Sequence, residues 1–325
     1  MLALALNIAM PVRGQEPAPP TATPSQGDFT GLVDIGGRRL YLECRGAGSP
    51  TVVLEAGYGN RADVWSVDLE PRQGSRQMVF SAVAAFTRVC AYDRPGTTGQ
   101  VVDDQGSPDS AGSFLPSRSD PVPMPRTAAD IVADLHLLLH AASLTGPFVL
   151  VGHSLGGLTV QLYASLYPDE VGGLVLVDAS QEDTEAQVRA LVPPARWDAL
   201  QQMQQAPLAR YPDYELVDFD TSSEQMRQAR VATPLQPMPL AVLSRGTSDD
   251  APFPDWPVDA FMRLWEAQQR DLAALVPAAR HIVASQSGHY VQQEQPELVT
   301  EAIRQVVAGV REPATWYDLV SCCER

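Results

Sequence analysis

No G-x-G-x-x-G or G-x-x-x-x-G-K-[ST] segment occurs in the chain, so neither a dinucleotide fingerprint nor a phosphate-cradling loop is available. Its four cysteines and five histidines show no spacing suited to zinc. Both absences lead to the expectation of chemistry without cofactor or metal. No apolar stretch approaches the roughly 20 residues needed to span a bilayer. Positive charge is scarce as well: 23 basic against 39 acidic residues leave a net charge of −16, which argues against nucleic acid or an anionic membrane as a partner. With 45% hydrophobic and 19% charged residues, the chain is globular rather than disordered. Its 325 residues suffice for one large α/β core with an insertion.

What is present is most informative at Phe148-Val149-Leu150-Val151-Gly152-His153-Ser154-Leu155-Gly156-Gly157. An apolar β-type run enters Gly-His-Ser-Leu-Gly, and residues 158–167 read as helix. This is G-x-S-x-G in the strand–turn–helix context that a nucleophile elbow requires. A serine on so sharp a turn needs neighbours without Cβ at Gly152 and Gly156, because flanking backbones would otherwise collide. The helix N-terminus beneath the serine favours developing negative charge.

Around this segment, residues 29–35 and 39–44 flank Gly36-Gly37 and predict an opening hairpin. Residues 51–55, 88–92, 173–178, 240–244 and 281–284 read as strands. Residues 75–86, 127–142, 258–275 and 296–310 read as helices, with apolar Ile131, Leu135, Leu138 and Leu139 on one face of the second. Strands alternating with helices imply a mostly parallel sheet covered on both faces. Residues 97–126 form a Pro/Ser/Asp/Gly-rich loop too long to be a mere connection. Residues 180–239 differ in composition, being Gln-rich and Pro-punctuated, and read as a helical lid over the C-terminal edge of the sheet, where open α/β sheets bind ligands. The expected organisation is a leader over 1–26, a core from 27–179 and 240–315, the lid over 180–239, and a tail over 316–325.

The leader begins with a short apolar run and continues as a Pro/Thr/Ala-rich linker. It is similar to the end of a secretory signal but has no basic residues ahead of the apolar stretch. Export, to the periplasm or outside the cell, is the expectation; a cytoplasmic protein with a disordered leader is the alternative. Cys44 and Cys90, inside predicted strands, are most simply buried apolar side chains, and the pairing of Cys322 and Cys323 is left open.

A serine needs a base. His153 lies within the elbow and is expected to point elsewhere; His136, His140 and His281 are expected to be structural or exposed. His289, in Ser287-Gly288-His289-Tyr290 after the last strand, is the expected general base. Asp93 and Arg94 are expected to be structural. Tyr58, Trp65 and Tyr290 either line the pocket or sit in the core.

Together, Gly152-His153-Ser154-Leu155-Gly156-Gly157, Tyr92-Asp93-Arg94-Pro95-Gly96, Leu54-Glu55-Ala56-Gly57 and Gly288-His289 resemble the α/β-hydrolase fold family over residues 29–311. The resemblance implies a mostly parallel eight-stranded sheet with helices on both faces and an inserted lid. It also implies an oxyanion hole from the backbone N–H groups of Tyr58 and Leu155. Ala56-Gly57 replaces the His-Gly of many relatives, which leaves backbone donors in place. For the triad acid, the family offers Asp178, at the end of the strand after the elbow helix, or Asp249, in the loop after the next strand. Asp178 is preferred and Asp249 retained as the alternative. The implied reaction is hydrolysis of small carboxylic esters through an acyl-enzyme on Ser154. Alternatives are an aminopeptidase or amidase, with Glu182, Asp183, Glu185 or Glu224 gripping an ammonium group, and an acyltransferase. From another class comes a non-catalytic receptor for a small molecule. The expected partner is a small-molecule acyl substrate, and oligomeric state stays open.

Overall fold

Short β-branched runs alternate with longer amphipathic stretches, and each run becomes a strand. The computed structural model describes residues 27–69, 76–101, 113–248 and 251–316. β1 (Phe29–Asp34) and β2 (Arg39–Arg45) form the opening hairpin, followed by β3 (Val52–Glu55), α1 (Val79–Ala84) and β4 (Val89–Tyr92). β5 (Thr98–Gln100) and β6 (Phe114–Pro116) pair into a separate two-stranded sheet, so the segment expected as plain loop carries a ribbon. Then come α2 (Ala128–Ala141), β7 (Phe148–His153), α3 (Leu155–Leu166) and β8 (Val171–Val177). Residues 180–239 contribute α4 (Thr184–Leu191), α5 (Pro194–Gln205) and α6 (Phe219–Ala232). The chain closes with β9 (Leu240–Arg245), α7 (Val258–Ala273), β10 (Arg280–Ala284), α8 (Val291–Glu294) and α9 (Pro296–Arg311).

The main sheet is 8-stranded, in the order β1-β2-β4-β3-β7-β8-β9-β10. β2 is antiparallel to β1 and β4, and every pairing from β4 onward to β10 is parallel. Central strands buried on both faces alternate their side chains between two cores. Leu150 joins Ile131, Leu135, Leu138 and Leu139 of α2, while Val149 and Val151 face α1 and α9. α2 starts at a capping box in which Thr127 and Asp130 satisfy each other's backbone N–H, worth about 1 kcal/mol. Among the described residues no helix is long and apolar enough to cross a membrane.

Two expectations need correction. The helix expected over 75–86 is confined to Val79–Ala84, because Arg76 is held outside it, bonded to Asp68 and to the carbonyl of Gln293. Cys44 and Cys90 are joined in a disulfide: the antiparallel register of β2 and β4 sets them opposite each other, with Cα atoms 4.1 Å apart. Of the two places open to Trp65, it takes the core, fully buried against the α1 side of the sheet. The leader, the tail beyond Trp316, Cys322, Cys323 and Asp249 lie outside the described residues.

The 180–239 segment is not uniform. α4 and α5 bury Val188, Val192 and Trp197 in a small cluster of their own with Trp256, Phe261 and Leu264. α6 instead puts Met226 and Ala229 into the main core beside α2 and α3.

Candidate active site

At the end of β7 the chain turns through Ser154 with φ 53° and ψ −121°. Such a conformation in a non-glycine residue costs on the order of 1–3 kcal/mol and persists only where neighbours enforce it. Here Ser154 N–H donates to the Val177 carbonyl (3.2 Å), and its own carbonyl accepts from Gly157 (2.9 Å) and Ser180 (3.0 Å). The glycine requirement is steric. A Cβ on Gly152 would lie 2.3 Å from the Gly156 carbonyl oxygen, and one on Gly156 would lie 2.4 Å from that of Glu55.

His289 follows β10 and is brought to the same cavity as Ser154. Its Nδ1 lies 2.6 Å from Oδ2 of Asp178, at the end of β8. Asp178 is fully buried and also at positive φ, 43°. Its Oδ1 accepts from the Arg245 backbone N–H (2.9 Å) and Trp265 Nε1 (2.6 Å), and its Oδ2 from Arg245 Nε (2.7 Å). Burial by itself would raise this carboxyl, but Arg245 and His289 outweigh it and hold Asp178 down at about 2. An ionised Asp178 fixes the imidazole proton on Nδ1 and leaves Nε2 as the acceptor. Arg245 and Trp265 had no assigned part in the sequence reading; a strand-end aspartate offers no local signal for which donors will surround it.

His153, expected to point away, faces the cavity. Its ring centroid is 4.5 Å from that of His289, and its Nε2 donates to the His289 carbonyl at 2.9 Å. Burial, with His289 beside it, holds His153 well below the ordinary histidine range, so it stays neutral. It tethers the backbone of His289.

The loop after β3 is clamped from below. Arg94 donates to the carbonyls of Ala56 and Gly57 (both 2.7 Å) and pairs with Glu55 (2.5 Å) and Glu215 (2.6 Å), all buried. Glu215 Oε2 accepts the Gly59 N–H at 2.7 Å. Among the described residues neither the Tyr58 nor the Leu155 N–H is taken up by a hydrogen bond to protein, and both residues line the cavity with Ser154. Arg94 is thus structural, as expected. Glu215 is the partner that sequence reasoning missed, although a buried arginine needs acceptors and carboxylates are the strongest of them.

Two cavities meet at Ser154, His289 and Gln204. One, of about 280 Å³, is polar and includes Tyr58, Asn60, Glu185 and Tyr290. The other, of about 310 Å³, is walled by Val188, Leu200, Trp256, Phe261 and Trp265. The β5–β6 ribbon borders a third space, which shares Asn60 and Tyr290 with the polar cavity. Of the four acidic residues considered for gripping an ammonium, Glu182 pairs with Arg230, and Asp183 and Glu224 with Arg227. Glu185 alone of these lines the cavity; burial, helped by Asp220, raises its carboxyl to about 7.

With this architecture in view, the chain belongs to the alpha/beta hydrolase family, whose sequence signature matches residues 52–302. Among curated relatives, a protein named probable transporter efuK from Hormonema carpetanum is 27% identical over 160 residues, 47% of this chain but only 19% of that protein. The chain thus spans about a fifth of that relative's length. The uncharacterized protein YqjL of Bacillus subtilis is 24% identical over 281 residues, covering 85% of this chain and 91% of the relative. Among solved structures, alpha/beta hydrolase domain-containing protein 10 from mouse superposes with a TM-score of 0.56 at 15% identity, covering 87% of this chain and 99% of that one. The last likeness is one of fold.

Proposed function

We propose that this hydrolase-family protein cleaves small carboxylic esters through an acyl-enzyme on Ser154. The observation that carries the reading is the strained Ser154 sharing a cavity with His289, whose far nitrogen is bonded to a buried, ionised Asp178. The chain contains no lysine, so a serine–lysine pair is not an option and an imidazole is the natural base. His289 Nε2 takes the Ser154 proton as Oγ bonds to the acyl carbon. The oxyanion is met by the N–H groups of Tyr58 and Leu155, a preorganised pair worth several kcal/mol in the transition state. The intermediate collapses, His289 returns the proton to the leaving alcohol, and water deprotonated by His289 releases the acid. Asp178 holds the tautomer and stabilises the imidazolium without itself becoming protonated.

The apolar cavity suits the acyl group and the polar one the leaving group, with α4 and α5 acting as the lid between them and solvent. A fluorophosphonate probe together with p-nitrophenyl acetate tests the reading. Labelling at Ser154 and turnover abolished in Ser154→Ala are expected. Tight binding of small molecules with neither labelling nor turnover would replace the enzyme with a receptor.

A second reading, hydrolysis of substrates bearing a cationic amine as in an aminopeptidase, is favoured by Glu185. It is the one lid carboxylate considered that lines the cavity with Ser154, and among the described residues it forms no ion pair, Arg189 acting on it only at longer range.

A further inference from the structure

We propose that His136, His140 and Glu170 form a site for a divalent transition-metal ion of the zinc type, at the end of the sheet remote from Ser154. His136 and His140 are one helical turn apart on α2 and therefore present their rings on the same face. Glu170 comes from the short turn before β8 and reaches both: its Oε1 lies 3.0 Å from His140 Nε2 and its Oε2 3.4 Å from His136 Nδ1. All three donor atoms lie within 4.8 Å of one another. A tetrahedral ion with bonds of about 2.0–2.2 Å needs ligand atoms roughly 3.4 Å apart, so the side chains would need to move little. Two imidazoles and a carboxylate suit zinc, copper or nickel better than magnesium or calcium, and three protein ligands leave one position for water.

The surroundings support a built site. Tyr163, fully buried on α3, donates its hydroxyl to Glu170 Oε2 at 2.5 Å and orients the carboxylate. Tyr167 stacks flat on His136, with ring centroids 3.8 Å apart and planes 2° from parallel. The four-residue spacing of His136 and His140 corrects the expectation that no histidine spacing suits zinc; what local spacing hides is the third ligand, 30 residues after His140. β8 separates Glu170 from Asp178 by about 25 Å at ~3.3 Å per residue, so the ion would tie α2 to the entry of β8 and take no part in catalysis.

The test uses the metal-stripped full chain, titrated with Zn²⁺ by calorimetry and with Co²⁺ as an optical probe. One equivalent is expected, with the visible absorption of low-coordinate Co²⁺ and a melting temperature several degrees higher with Zn²⁺. His140 is largely exposed, so His140→Ala should fold and turn over p-nitrophenyl acetate like the parent while losing at least about tenfold in affinity. Tyr163→Phe should weaken binding by a smaller factor, and Ser154→Ala should not change it. Absence of saturable binding in the parent, or binding that survives His136→Ala with His140→Ala, would overturn the proposal.

Discussion

On the sheet side of the cavity, Asp178 is fully buried and receives two bonds from Arg245, one from Trp265 and one from His289, whereas on the helical side Glu185 forms no ion pair among the described residues. The two carboxyls are driven in opposite directions, Asp178 to about 2 and Glu185 to about 7. Burial pushes both upward; what separates them is whether the fold supplies donors. The first is set for one task and cannot change state near neutrality. The second can, because among the described residues it holds no close ion pair and Arg189, one turn further along α4, acts on it only at longer range. The same contrast holds for packing. The elbow, Asp178 and the clamped loop hang from central strands, while α4 and α5 rest on a small cluster of their own.

The sharpest way to break the comparison is Asp178→Asn. With the amide unable to hold the Nδ1 proton, His289 presents the wrong tautomer, and kcat for p-nitrophenyl acetate should fall by about 10⁴. A near-normal rate would remove Asp178 from the proposed triad and return Asp249 to consideration. Next in size is Glu215→Gln, which leaves Arg94 short of a buried partner and loosens the Tyr58 loop. Breaking a buried pair on one side costs about 3–5 kcal/mol, read as a lower urea midpoint, and kcat should fall with it. An unchanged midpoint would mean that Glu55 alone carries Arg94.

The pH dependence of stability should show the two carboxyls as opposite slopes. Asp178 has a depressed folded-state value, so its contribution is complete above the unfolded value near 4 and lost as pH falls toward 2. That term is about 2 kcal/mol. Glu185 has a raised value, so its burial costs stability progressively as pH climbs from its ordinary range to about 7. Chemical denaturation from pH 2 to 8, with and without Glu185→Gln, separates them: the variant should lose the decline between about 4.5 and 7 and keep the acid limb.

Much of this was legible before any coordinates, for local reasons. The elbow is specified within six residues, and Ser154 needs both flanking glycines for steric reasons that hold on any sheet. That His289 would reach the elbow's cavity follows from its place after the last strand, while its bond to Asp178 came from one of two positions, Asp178 or Asp249, that the sequence had left open. Arg245, Trp265 and Glu215 were not, because which donors meet a buried carboxylate depends on how β9, α7 and the turn before α6 come together. The Cys44–Cys90 bond was hidden for a related reason: its partners are 46 residues apart and meet only through the β2–β4 register. His153 was misread because the elbow turns its ring toward His289 rather than away.

The smallest effect is the most discriminating, because it asks what Glu185 is for. If it receives a cation, an ester carrying a trimethylammonium group should be preferred over its neutral tert-butyl isostere, and a permanent charge keeps the substrate from titrating. Below about pH 7 Glu185 is protonated and the preference should be weak; as pH rises through 7 the carboxylate forms and the kcat/KM ratio should climb about tenfold, some 1.4 kcal/mol. Glu185→Gln should flatten that rise and leave the neutral ester's kcat/KM nearly untouched, since Asp178 and His289 are unaltered. A ratio independent of pH, or one that rises equally in Glu185→Gln, would mean that the raised carboxyl is only a cost of burying α4. The polar cavity would then be a leaving-group exit for neutral alcohols.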